Sequence, residues 1–201
     1  MLGRIFYFLF SVLAATSIVA EPRMLDRLIL EINSKSYTQR QIEIYHALRT
    51  IAMGEPIAKA LPSSSGWKDA VEIFKNEILV YSNIENDPQR MESFQPDNKA
   101  LQEAEALVQK AQLEHDGFRG FLRGYQVSET EIIRNLLTFF RVQAYVRSRI
   151  QVIGPTAGGS VPPLLSIDAK SDWFSSLQRM TPYRLFDRAK EYRPIELKKS
   201  S

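Results

Sequence analysis

The sequence predicts a mainly α protein: an orthogonal helical bundle of about five helices, with a small β-hairpin or two-stranded sheet made from an N-terminal strand and a C-terminal segment. Three observations lead there. Apolar residues recur at helical spacing in several separate stretches, two of them opened by capping boxes. Only short stretches have strand character, one early and one late in the chain. The composition is that of an ordinary globular protein, 44% hydrophobic and 24% charged, without a single cysteine in 201 residues. A core of this size needs no metal or disulfide to hold it.

Met1 to Ala20 has the parts of a secretory signal peptide. Arg4 supplies a positive start, and Ile5 to Ala15 is an apolar run too short for a comfortable membrane span. Cleavage is expected after Ala20 or after Ser17, with an uncleaved anchor as the alternative. In either case the remainder of the chain is expected to be exported, with no stable membrane span in the mature protein.

Leu25 to Asn33 reads as a strand. Leu28, Leu30 and Ile32 give it an apolar face, alternating with Arg27, Ile29 and Glu31. Asn33 to Ser36 reads as a turn. Thr38 and Gln41 then form a capping box, with Tyr37 and Ile42 at the spacing of a hydrophobic staple. Ile42, Tyr45, Leu48 and Ala52 continue that helix to Gly54 and Pro56. His46 lies inside it with no carboxylate or second histidine at ligand spacing, so it reads as a structural residue.

Trp67, Ala70, Val71, Phe74, Ile78 and Tyr81 form a stripe that makes Trp67 to Asn83 a helix. Its aromatics serve as core or as a client-binding surface, and at this spacing core is the commoner use. Asn86 to Asp97 reads as a polar loop, and Asn98 to Leu113 as an amphipathic helix buried through Leu101, Ala104, Val108 and Ala111. His115-Asp116-Gly117 reads as a helix terminus. Its histidine and aspartate have no accompanying nucleophile and are no triad. Phe118 to Gln126 reads as a turn of helix.

Ser128 to Ile150 is the stretch around which the bundle is expected to be organised. Ser128 and Glu131 have the spacing of a second capping box, and Val127 and Ile132 that of a second staple. Ile132, Ile133, Leu136, Leu137, Phe139 and Phe140 share one broad arc, and the pattern blurs after Arg141.

Residues 151–166 read as a Gly/Pro linker. Asp168 to Met180 reads as a short helix and Tyr183 to Phe186 as a strand; neither folds alone. They are expected to return to the main body, with Tyr183 to Phe186 pairing on the edge of Leu25 to Ile32. Residues 188–201 read as a basic flexible tail. The domains are thus a signal peptide (1–20), a helical domain (21–150), the linker (151–166), a returning segment (167–187) and the tail (188–201). A formal charge of +3 is too small and too dispersed for nucleic acid. No cofactor, metal ligand set or catalytic group is expected.

The order of these elements resembles the N-terminal domain of SurA-like chaperones. Asp26-Arg27-Leu28-Ile29-Leu30-Glu31-Ile32-Asn33 resembles that family's Asp-Arg strand and Val-Asn step, and Tyr37-Thr38 its helix start. Tyr125-Gln126-Val127-Ser128 followed by a long apolar-basic helix resembles its later signature. Ser34 stands where the family often has Gly. The family's larger members carry parvulin-type isomerase domains before the returning segment, and here only the linker occupies that interval. The resemblance therefore implies a chaperone-type module without isomerase chemistry. It implies an exported, periplasmic protein that binds unfolded polypeptide clients, outer-membrane proteins among them. A non-catalytic adaptor for one folded envelope partner is the alternative, and a prolyl isomerase the remaining one. The residues expected to contact clients are Trp67, Phe74, Phe118, Phe121, Phe140 and Trp173.

Overall fold

Asn33 and Ser34 reverse the chain with positive φ angles of 49° and 63°. That is the paired left-handed conformation a type I′ hairpin turn requires. They join β1 (Leu28–Ile32) to β2 (Lys35–Thr38) in an antiparallel hairpin. The computed structural model describes residues 26–151, 167–168 and 171–195. The signal segment and its cleavage positions, residues 152–166 of the linker and residues 196–201 lie outside the described residues.

The hairpin departs from the sequence expectation in two ways. The stretch read as a turn through Ser36 is half strand, since Lys35 already pairs with Ile32. The alternation in β1 is also broken. The register shifts between Leu28 and Leu30, so Ile29 is the extra residue of a bulge. As a result Ile29, Leu30 and Ile32 are all fully buried while Leu28 is only half-buried.

β3 (Tyr183–Leu185) completes a sheet of order β2-β1-β3, with Leu30 opposite Leu185 and Ile32 opposite Tyr183. The returning segment thus pairs where the sequence places it. The Phe186 N–H donates to the Ile29 carbonyl at 3.0 Å, which satisfies the bulged residue.

Eight α-helices lie among the described residues: α1 (Gln39–Ala52), α2 (Ile57–Ala60), α3 (Trp67–Glu85), α4 (Pro88–Ser93), α5 (Asn98–Glu114), α6 (Asp116–Gly124), α7 (Glu129–Gln151) and α8 (Asp172–Met180). The protein is mainly α with a small antiparallel sheet. α1, α3, α5, α7 and α8 are the expected helices, α6 extends the turn of helix expected over Phe118 to Gln126, and α2 and α4 are short additions. α4 falls in the segment read as a loop. Asp87 caps it, accepting from the N–H groups of Gln89 and Arg90 at 3.0 and 3.3 Å, with Pro88 in its first turn. The α8 helix begins at Asp172, four residues later than the sequence suggests.

The Thr38 capping box is complete. The Gln41 N–H donates to Thr38 Oγ1 at 3.4 Å, and the Thr38 N–H to Gln41 Oε1 at 2.9 Å. At Ser128 only one half forms: the Glu131 N–H donates to Ser128 Oγ at 3.1 Å, but the Glu131 carboxylate turns to Arg40 instead.

The centre of the bundle is α1 rather than α7. It packs against α2, α3, α5 and α7. Ten of its residues are buried, including Gln39, Glu43, Arg49 and Thr50. A helix enclosed on so many sides must find partners for its polar side chains within the protein. α7 is enclosed from Leu136 onward, where Leu136, Phe139, Phe140, Val142, Gln143, Tyr145 and Val146 are buried; Ile132 and Ile133 near its start are only half-buried.

α8 docks on α3 through Phe174 and Leu177, both buried. The residues after β3 depart from the expected flexible tail. Asp187–Lys190 form a 3₁₀ turn, and residues 191–195 run on against the body.

Candidate polypeptide-binding groove

A groove of about 610 Å³ opens between α5, α6 and the start of α7. Val108, Leu122, Val127, Ile132 and Ile133 supply its apolar surface. Around them stand Gln109, Gln112 and Gln126, the arginines Arg119 and Arg123, and the acids Glu105 and Glu129. A volume in this range takes a short polypeptide segment or a drug-sized molecule.

Local sequence explains each wall. The spacing that buries Ala104, Val108 and Ala111 on α5 leaves Glu105, Gln109 and Gln112 on the adjacent strip. α6 ends in a left-handed residue, Gln126, at φ 51°. The Gln126 N–H donates to the Arg123 carbonyl and the Val127 N–H to the Leu122 carbonyl, both at 3.0 Å. This is the bond pattern of a Schellman terminus, which ordinarily places Gly at the left-handed position. Here a glutamine bears that strain, and its side chain lines the groove. Arg40 holds the same turn from α1, donating through Nε and Nη2 to the Tyr125 carbonyl at 2.9 and 2.7 Å.

Two buried polar clusters stand apart from the groove. In the first, Glu77 accepts from Tyr45 Oη at 2.7 Å and from Arg49 Nε at 2.9 Å. Burial raises the Glu77 carboxyl above its ordinary range, opposed by Arg49 and the Tyr45 hydrogen bond. In the second, Glu43 accepts from Tyr125 Oη and, at 2.8 Å, from Gln39 Nε2. Burial again raises the carboxyl, opposed by those two hydrogen bonds. Both tyrosine hydroxyls are pushed upward, chiefly by burial, and serve as proton donors. Each carboxylate is closed in by its partners. The cleft beside Glu43, His46 and Trp67 has only about 10 Å³, room for a single water.

His46 Nε2 lies 3.2 Å from the Lys59 carbonyl, which can only accept, so Nε2 carries the proton. Burial lowers its pKa. Among the described residues no group of His, Asp and Glu is placed to hold a metal ion, and no helix is long and apolar enough to cross a membrane.

The residues singled out for client contact do not come together as a surface. Trp67, Phe74, Phe118, Phe121 and Phe140 are buried. Phe74 packs edge-on against Tyr37 and Tyr45 at 5.4 and 5.2 Å, and Phe121 lies on Tyr125 at 4.5 Å. These side chains are core. Trp173 alone is half-buried, set against Tyr145 and Phe174 where α8 docks. The groove residues are mostly polar and come from three elements, so no single stretch of sequence marks them. The one available signal was Ile132 and Ile133 beside the aliphatic Val127.

No family model, no curated protein and no solved structure matches the chain.

Proposed function

We propose that this protein is an exported, periplasmic chaperone-like protein that holds unfolded polypeptide without catalysing a reaction on it, with outer-membrane proteins among its clients. The observation that carries this reading is the chemistry of the α5–α6–α7 groove. Its aliphatic floor buries apolar side chains whatever their shape. Its three glutamine amides each offer donors and an acceptor, which suits a polypeptide backbone better than any one side chain. Such a lining favours many sequences weakly over one sequence tightly.

The test is aggregation. Protein from Glu21 onward is mixed with a denatured outer-membrane barrel protein diluted from urea. Suppression near equimolar ratio, lost in Ile133→Glu, is the expected result. No suppression by demonstrably folded protein removes this reading and favours an adaptor for a single folded partner. Proline-peptide turnover above background would instead restore the isomerase alternative.

A further inference from the structure

The body of the protein grips residues 189–193 by their backbone. Trp67 Nε1 donates to the Ala189 carbonyl at 2.9 Å, Arg27 Nη2 to the Glu191 carbonyl at 3.2 Å, and Gln39 Nε2 to the Arg193 carbonyl at 2.7 Å. Every second carbonyl is thus taken by a side chain, from the starts of α3, β1 and α1. Between these grips the Tyr192 ring sits 5.7 Å from the Trp67 ring. Burial first, and then the nearby Glu43 carboxylate, raises the Tyr192 hydroxyl to about 12.

The segment gives little in return. Lys190, Glu191, Arg193 and Pro194 are exposed, while Ala189, Tyr192 and Ile195 are half-buried. A segment kept for core stability would bury its side chains. This one leaves a 3₁₀ turn at Lys190 and is recognised by three carbonyls and one aromatic ring, the way a protein recognises a ligand whose sequence varies. The donors are also prepared in advance: Arg27 Nε holds Gln39 Oε1 at 2.9 Å, and Gln39 in turn reaches Glu43.

We infer that the cleft formed by Arg27, Gln39, Glu43 and Trp67 is a binding site for a polypeptide segment carrying an aromatic residue, filled in cis by residues 189–193, and that an unfolded client displaces this strap. The displacement step rests on the holdase reading; the cleft does not.

The experiment has two arms. In the first, full-length protein and its Tyr192→Ala variant are titrated against a fluorescein-labelled peptide of residues 187–195, read by anisotropy. A tethered strap competes at high effective concentration. Loosening it is therefore expected to strengthen peptide binding at least tenfold, and adding Trp67→Phe to the variant to reverse most of that gain. Should Trp67→Phe disturb folding, Arg27→Met on a half-buried side chain gives the same readout. Equal binding to wild type and Tyr192→Ala, or no binding to either, overturns the cleft.

In the second arm, a spin label is attached at Glu191→Cys, in a protein that has no other cysteine, and its mobility is followed with and without a denatured outer-membrane barrel protein. Greater mobility on client binding, with a label at Arg179→Cys on α8 unchanged, supports displacement. A bound client that leaves the strap label as restrained as before overturns displacement. A client that does not bind overturns displacement together with the holdase reading, while the first arm still decides the cleft.

Discussion

Arg40 on α1 and Glu131 on α7 meet as a two-pronged ion pair, with N–O distances of 2.7 and 2.9 Å. The same guanidinium holds the Tyr125 carbonyl, so one side chain fixes the angle at which α6 gives way to α7. Both partners are partly shielded from water, at 20% and 25% exposure, which sets this pair apart from surface pairs of negligible worth. Arg40→Ala is expected to cost about 2 kcal/mol in urea unfolding. Arg40→Lys should recover less than half of that, because an ammonium cannot reproduce the planar fork. Equal stability of wild type and Arg40→Ala would show the pair to be idle.

Ser34 and Gln126 both sit at positive φ without being glycine. Each substitution to Gly should stabilise by about 1 kcal/mol by relieving the left-handed strain. On the proposed holdase reading the two variants should then differ in function. Ser34→Gly lies in the β1–β2 turn and should leave client holding unchanged. Gln126→Gly removes an amide from the groove and should raise the urea midpoint while weakening suppression of aggregation. Unchanged holding in Gln126→Gly would remove that amide from the binding surface.

Glu77 compensates the Arg49 charge inside the core, with side-chain exposures of 3% and 8%. Glu77→Ala leaves a buried guanidinium and a tyrosine hydroxyl without acceptors. The expected loss is about 4 kcal/mol. The double variant Glu77→Leu with Arg49→Met, which removes both charges, should lose much less. A double variant as damaged as Glu77→Ala would mean that shape rather than charge governs this site.

The buried acids and His46 set opposing pH trends. Glu43 and Glu77 have folded-state pKa values raised by burial from 4.5. Their contribution is fully present below the unfolded value and is lost as pH rises from 4.5 through the raised folded values. His46 is lowered from 6.5 by burial, so its contribution is present above 6.5 and is lost as pH falls below it. Glu43→Gln keeps an acceptor for Tyr125 and Gln39 without the charge. Its stability relative to wild type should therefore improve on going from pH 4 to pH 8. A difference that stays flat across that range would show that Glu43 titrates normally.

Local chemistry was legible where the partner lies within a few residues. Thr38 and Gln41 cap α1 as their spacing announces, and the helical stripes mark α3, α5 and α7. The second capping box failed for a tertiary reason: Arg40, 91 residues away in sequence, competes successfully for the Glu131 carboxylate. β2 was hidden because four mostly polar residues beside a turn carry too little pattern. Aromatic stripes have the composition of a binding surface but here mark the core, since a large ring stabilises most where water is excluded. The groove and the strap cleft are assembled from polar side chains on separate elements, and no single stretch of sequence records such a convergence.

The order β2-β1-β3 has a consequence for the timing of folding. β1 lies between its sequence neighbour and a strand whose residues, Tyr183 to Leu185, pair with it from the far end of the described chain, so one of its edges has no partner until almost the entire described chain has been synthesised. Closing so long a separation comes late, after the local helices have formed. A nascent chain therefore carries an open β edge through most of its synthesis, exposed to pairing with other chains. Protection of the β1 amides facing β3 should be among the last to appear in refolding, and a chain stopped before Tyr183 would keep that edge open.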